Sequence, residues 1–248
     1  MRSRSRQRSV ELPAVADFIS LPFYDLFAED GHVTRMREIL PPFLAGVRRS
    51  ILEIGAGSGL MTTSLADWTP AEIFALEPSA GMRGVLLSRL CVRPELLDRV
   101  TVLPCDALSV TLDEPAEAIV MINVMYALEP DYRKRLWPVL AAALEPAGLL
   151  LFTWRDGGPP APRPMRELQS RRVGRHTYSV SSEILDTDGE ACHARYLHRI
   201  SEGNQILFEE ELTGHAYRPP RHVLEPELRT AGFTQINGAD GLQAWRLA

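Results

Sequence analysis

No apolar run in this 248-residue chain approaches the roughly 18 residues that a membrane-spanning helix needs, so no membrane partner is expected. Cysteine is scarce as well. Cys91, Cys105 and Cys192 lie far apart and form no Cys-x-x-Cys pair, which excludes an obvious zinc or redox motif and fits a reducing, cytoplasmic setting. Positive charge is not in surplus: a net charge of −5 argues against a nucleic-acid binder, whose affinity would rest on a basic surface. Nothing repeats internally, which excludes a solenoid. His176, His193, His198 and His222 form no metal-ligand spacing with one another or with the carboxylates, so no metal is expected.

What is present is an ordinary globular composition, 45% hydrophobic and 24% charged, with room for one large α/β domain. The start, Arg2-Ser3-Arg4-Ser5-Arg6-Gln7-Arg8, has no apolar stretch behind it. Residues 1–17 are expected to be a disordered basic tail and 18–248 the domain. Short β-type runs then alternate with helical stretches: Ser50 to Ile54, Ile73 to Leu76, Val100 to Leu103, Ala118 to Ile122 and Leu149 to Thr153 read as strands. Helices are expected from Leu60 to Asp67, Ser79 to Leu90 and Asp131 to Leu144, with Pro138 kinking or ending the last of these. The pattern predicts a parallel sheet covered on both faces.

After Trp154 the character changes. Four prolines and two glycines between Gly157 and Pro164 make a loop, and 155–182 is expected to be a flexible insert on the substrate side. Alternating segments follow around Tyr178-Ser179-Val180, from Cys192 to Ile200 and from Gln205 to Tyr217, the last two flanking the turn Ser201-Glu202-Gly203-Asn204. Arg195 and Arg199 share one face of the Cys192 to Ile200 segment, and Glu209, Glu210 and Glu211 can oppose them in a register the sequence leaves open. A last helix is expected from Pro219 to Ala231, with Phe233 returning to the sheet.

The chemistry gathers at the strand ends. The first strand runs into Gly55-Ala56-Gly57-Ser58-Gly59, where missing side chains let the backbone approach a ligand closely. Dinucleotide enzymes use a related turn, but with GxGxxG spacing rather than this alternation. Glu77 ends the second strand about 20 residues further on, where an acid binds the hydroxyls of an adenosine ribose. Asp106 follows the third strand, where it or its backbone neighbour can meet an adenine amino group. Taken singly, each acid reads as a solvated loop residue. At successive strand ends on one sheet edge, they read as a site.

These segments resemble class I S-adenosylmethionine (SAM)-dependent methyltransferases of the small-molecule type. Glu53-Ile54-Gly55-Ala56-Gly57-Ser58-Gly59 looks like their first motif, Glu77-Pro78-Ser79 like the second, and Cys105-Asp106-Ala107 like the adenine-side motif. Ile122 to Leu128 resembles the segment after their fourth strand, and Leu144 to Gly148 the turn before the fifth. The resemblance spans roughly Phe23 to Phe233. It implies a Rossmann-like sheet of seven strands, mostly parallel, with helices on both faces and a C-terminal antiparallel hairpin through which a homodimer could form. It implies SAM as cofactor, held by Glu53, Gly55, Ala56, Gly57, Glu77, Pro78, Met82, Asp106, Ala107 and Asn123. Phe23-Tyr24-Asp25 resembles an N-terminal lid whose tyrosine approaches the cofactor; core packing beside Phe23 and Phe27 is the other reading of Tyr24.

A looser likeness, in the layout from Ala194 to Phe233, points to sugar amino N-methyltransferases and peptide α-N-methyltransferases. The implied acceptor is a small molecule or peptide, most simply an amine nitrogen. O-methylation of a hydroxy compound and a non-methylating relative of the fold remain alternatives, with an NAD-dependent oxidoreductase further off. A phenol or alcohol acceptor needs a nearby base. Tyr126, His215 and Tyr24 are the candidate catalytic residues, against the plainer reading of hydrogen-bonded side chains. No Asn/Asp-Pro-Pro-Tyr segment follows the fourth strand, which speaks against planar amide or adenine nitrogens as acceptors. Arg35 or Arg37 could meet the SAM carboxylate, and Arg171, Arg172 and Arg175 an anionic substrate. For all five, a solvated face is the plainer reading.

Overall fold

The computed structural model describes residues 20–28 and 33–248. The expected basic tail therefore lies outside the described residues. Three short helices come first: α1 (Leu21–Ala28), α2 (Thr34–Ile39) and α3 (Pro41–Leu44). Then strands and helices alternate through β1 (Ser50–Ile54), α4 (Leu60–Trp68), β2 (Glu72–Leu76), α5 (Ala80–Cys91), β3 (Val100–Leu103), β4 (Ala116–Met121), α6 (Pro130–Ala143) and β5 (Leu144–Thr153). Four long strands follow, β6 (Arg163–Val173), β7 (His176–Asp188), β8 (Ala191–Glu202) and β9 (Gln205–Tyr217). The described chain closes with α7 (Arg221–Thr230), β10 (Phe233–Ala239) and β11 (Leu242–Leu247).

The main sheet has the order β10-β11-β5-β4-β1-β2-β3. Its β1 to β5 pairings are parallel, while β11 runs antiparallel to both β5 and β10. Successive residues of β1 face opposite layers, as the pleat requires. Ile51 packs with Leu65, Ile73 and Leu86 on the α4–α5 side. Leu52 packs with Leu136, Trp137 and Leu224 on the α6–α7 side. Both layers are apolar at the sheet apart from Glu53 and Thr62, so β1 and β4 read as largely hydrophobic runs. The expected Rossmann-like sheet with its antiparallel C-terminal pair is what forms.

Three local expectations need correction. Pro138 does not end its helix: α6 runs unbroken from Pro130 to Ala143, because Leu136, Trp137 and Leu140 bury on both sides of it. The turn Pro146-Ala147-Gly148 does not precede the fifth strand but is absorbed in it. Ala116 pairs with Leu144 and Ala118 with Leu149, so these residues form a bulge, with Ala147 at φ +63°. The stretch 155–182 is loop only as far as Pro162; beyond it, β6 and β7 form two strands of a four-stranded antiparallel sheet, β6-β7-β8-β9. An edge strand exposed along nearly its whole length, β6 is ordered by backbone pairing and carries no apolar alternation to betray it.

The second sheet also settles the open register. Arg199 lies opposite Glu209 and pairs with it, whereas Arg195 bonds Glu183 on β7 and stands 3.6 Å from Glu211. This sheet is fastened to the main one by a buried arginine. Arg133 of α6 has no exposed side-chain surface. It donates to Glu227 on α7 (2.8 and 3.0 Å) and to Glu190 in the β7–β8 turn (3.0 and 3.1 Å). The Trp137 indole adds a bond to Glu227 at 3.0 Å. No helix among the described residues is long and apolar enough to cross a membrane.

Removing Arg133 leaves two carboxylates buried against each other without a counter-charge. Arg133→Met should therefore lower the unfolding free energy in urea by about 3 kcal/mol. An unchanged midpoint would show that the clip contributes nothing to stability.

Candidate active site

The site lies beyond the carboxyl ends of β1, β2 and β4, where an open α/β sheet leaves a crevice. After β1 the chain turns through Gly55 (φ +71°) and Gly57 (φ +58°), backbone conformations that side chains rarely adopt. A Cβ on Gly55 would come within 2.7 Å of Val124 Cγ2, so the residue also admits the segment after β4. A Cβ on Gly57 would lie 3.5 Å from the Tyr24 hydroxyl. The amides of Gly55 and Ala56 both donate to the Leu76 carbonyl (2.9 and 3.0 Å), which ties the turn to the end of β2.

That tie brings Glu77 to the glycines. Its carboxylate is 3% exposed and accepts from the amides of Gly57 (2.8 Å) and Ser79 (2.7 Å). Burial raises its pKa, and the two amides and the Arg83 charge pull the other way. Pro78 and Met82 continue the same wall. Asp106 caps the next short turn through the Leu108 amide (2.8 Å) and accepts from the Tyr132 hydroxyl (2.8 Å), with Ala107 beside it. Asn123, at the end of β4, holds φ +58°, a strained value for a residue with a side chain. Its amide donates to Thr153 Oγ1 at 2.7 Å.

Gly55, Gly57, Glu77, Pro78, Met82, Asp106, Ala107 and Asn123 line one cleft of about 360 Å³, and Tyr24, Tyr126 and His215 line it too. Helix α1 carries Tyr24 over the glycine turn and is pinned there by its neighbour. Asp25 accepts from Ser58 Oγ (2.5 Å) and from Arg89 (2.6 Å), while Phe23 buries among Tyr178, His198 and Phe208 of the second sheet. Burial, with the charges of Asp25, Glu77 and Glu53, pushes the Tyr24 phenol up to about 12. Burial raises Tyr126 further. Both phenols stay protonated near neutrality, so they can donate hydrogen bonds but are poor bases. His215 comes from β9, stacked on His193 of β8 at 4.7 Å between ring centroids. Asp186 lies 3.9 Å from the His193 ring on its far side.

Two expected cofactor residues do not reach the cleft. Glu53 points from β1 into the interior, where it accepts from Thr62 Oγ1 of α4 at 2.6 Å. Ala56 is buried in the core behind the turn. Arg37 donates to Ser64, and Arg171 and Arg172 to the carbonyls of Leu26 and Gly174, away from the cleft. Sequence reasoning missed Tyr132 and Tyr217, which line the wall. Tyr217 was within reach of it, since residues two apart on a strand share a face and His215 was already chosen.

Residues 51–148 match the family model of a methyltransferase domain. A search of the curated proteins by sequence returns no match. Among solved structures, DesVI of Streptomyces venezuelae superposes with a TM-score of 0.73 at 18% identity, covering 92% of this chain and 98% of its own. The sugar N-methyltransferase KedS8 of a Streptoalloteichus species gives 0.70 at 17% identity, with 100% and 99% covered. The glycopeptide N-methyltransferase MtfA, complexed with SAM, gives 0.58 at 21% identity, with 87% and 92% covered. Residues 51–148 thus resemble a methyltransferase domain, and the chain has the fold of SAM-dependent methyltransferases.

Burial pushes the Glu53 carboxyl up to about 8, so the folded state binds its proton more tightly than the unfolded state does. That stabilisation is complete below the ordinary carboxylate range and is lost as pH rises through about 8. Glu53→Gln keeps the shape without the titration. The variant should melt roughly 2 °C or more above the wild type near pH 9, and the difference should shrink toward pH 5. Parallel melting profiles across that range would mean Glu53 does not titrate as described.

Proposed function

We propose that this chain transfers the methyl group of SAM to an amine nitrogen of a small-molecule or peptide acceptor, in a biosynthetic pathway of secondary metabolism. The carrying observation is one cleft with two unlike ends. At one end are the glycine turn, the Tyr24 phenol and the buried Glu77; at the other are the Tyr126 phenol, kept protonated by burial, and a single imidazole.

The donor end fits the cofactor. The space a Cβ would fill at Gly57 is left open beneath Tyr24, and a carboxylate already accepting two amide hydrogens stands ready for two hydroxyls. Glu77 would hold the ribose, with Pro78 beside it; Met82, Asp106 and Ala107 would flank the adenine. Gly55, Gly57 and Asn123 would line the methionine portion, and Tyr24 would cover it. Glu53 and Ala56 would act from behind, by shaping the turn. When bound, SAM supplies a methyl group already activated by its sulfonium, which leaves the protein mainly the work of positioning.

An amine suits the acceptor end because its lone pair is available without a strong base. The nitrogen–carbon bond forms as the sulfur–carbon bond breaks, its electron pair stays on sulfur, and the nitrogen then gives up one proton. His215 and Tyr126 both line the cleft; His215 would receive that proton, and Tyr126 would orient the nitrogen by hydrogen bonding. The names of KedS8 and MtfA, a sugar and a glycopeptide N-methyltransferase, agree with this reading. His215 would also serve a hydroxyl acceptor, so matched amino and hydroxy compounds incubated with methyl-labelled SAM decide the atom. Label on the hydroxy member alone would overturn N-methylation.

Two substitutions test the roles. Glu77→Ala should weaken SAM binding by at least about 1 kcal/mol, read by calorimetry, through lost charge-assisted hydrogen bonds. Equal affinity would remove Glu77 from the donor site. His215→Ala should lower kcat at least about tenfold with SAM affinity intact. Parallel loss of both would make it a structural residue instead.

A further inference from the structure

Beside the donor cleft lies a second cavity of about 470 Å³. The two share Asn123, Tyr126 and Tyr217, the residues at the reacting end of the cleft. Their electrostatic linings are opposite. The first carries Glu77, Asp106 and Glu129; the second carries Arg35, Arg155 and Arg218 and, among the described residues, no carboxylate, in a chain whose net charge is −5.

The three arginines are not equivalent. Arg35 of α2 is already neutralised, because it pairs with the Asp240 carboxylate and donates to the Asp240 carbonyl. Arg155 and Arg218 form no ion pair or side-chain hydrogen bond among the described residues. Their placement is nonetheless built. Trp154, which ends β5's run into the loop, donates its amide to Gly241 (3.0 Å) and its indole to the Pro219 carbonyl (3.0 Å). Arg155 follows that tryptophan and Arg218 precedes that proline, so one clamp brings both to the same rim. The Arg218 amide also donates to the Glu190 carbonyl (2.7 Å), and Glu190 is held by Arg133. The nearby Arg221 stacks over Trp154, but its charge is taken up by Asp156 and Glu225.

We infer that this cavity is the acceptor's anion subsite: Arg155 and Arg218 bind a carboxylate or phosphate of the acceptor and present its nitrogen at Asn123, Tyr126 and Tyr217. The inference rests on the amine-methylation reading and names its substrate class. Guanidinium groups match both oxyanions by paired N–H donors, and two cationic side chains in a concave, acid-free wall concentrate negative charge there. Anchoring one end of the acceptor makes the reacting nitrogen effectively intramolecular, which is how binding energy becomes rate.

Calorimetry on the full chain saturated with S-adenosylhomocysteine tests the site directly, with inorganic phosphate, pyrophosphate and acetate as probes. At least one probe should bind the wild type, and Arg155→Gln and Arg218→Gln should each weaken it about tenfold. Both side chains are exposed, so neither change opens the core. S-adenosylhomocysteine affinity should stay within about twofold. Falling in step, it would assign the arginines to the cofactor's own carboxylate and overturn the inference. No probe binding, or equal binding in the variants, would also overturn it. So would loss confined to Arg175→Gln, on the β6–β7 turn. Glucosamine against glucosamine 6-phosphate, and an amino acid against its methyl ester, then separate phosphate from carboxylate as the preferred group by methyl transfer. Equal transfer to all four would sink the subsite while leaving N-methylation standing. Transfer to an anionic hydroxy compound alone would do the reverse.

Discussion

The arrangement of the site depends on Arg133. Its side chain is buried between Glu227 of the main domain and Glu190 of the β7–β8 turn, and it satisfies both carboxylates at once. A guanidinium carries enough donors in one plane to do this, whereas an ammonium has no fork to match two carboxylates. Everything the second sheet brings to the cleft is referred to that junction: Arg218 and the end of β9 through the Glu190 carbonyl, and His215 and Tyr217 along the same strand. The pair costs desolvation, so its value is geometric as much as energetic. Together with the ring packing of Phe23, it fixes the angle at which the second sheet meets the ends of β1 and β4.

With that angle set, two chains of contact converge on the glycine turn from opposite sides. From the main sheet, the Leu76 carbonyl and the Glu77 carboxylate hold the amides of Gly55, Ala56 and Gly57. From the second sheet, Phe23 roots α1 among Tyr178, His198 and Phe208, while Asp25 reaches Ser58 and Arg89. Tyr24 sits where these chains meet. Tyr24 both packs against the core and lines the cleft, while Phe23 is buried between α1 and the second sheet.

Much of this was legible from residues alone, for a physical reason. A parallel sheet puts functional groups at strand ends, and strand ends are visible as the points where apolar runs stop. Gly55, Gly57, Glu77 and Asp106 are legible in that way, whereas Asn123 comes only from the family resemblance. The errors follow from the same rule. Glu53 lies one residue inside its strand, and the pleat turns it to Thr62 rather than to the cleft. The strand β6 escaped notice because its order comes from backbone hydrogen bonds, which leave no mark on side-chain pattern. Arg155 and Arg218 are 63 residues apart in sequence and belong to no motif; only the Trp154 clamp, a tertiary contact, places them together.

The clasp between Asp25, Ser58 and Arg89 also sets how firmly α1 lies over the glycine turn. The Arg89–Asp25 pair is partly solvated, with side chains 29% and 39% exposed, so parting it costs on the order of 1 kcal/mol and is eased by salt. On this side α1 is therefore fastened by a latch of modest strength, whereas Phe23 holds it to the second sheet by ring packing that salt does not screen.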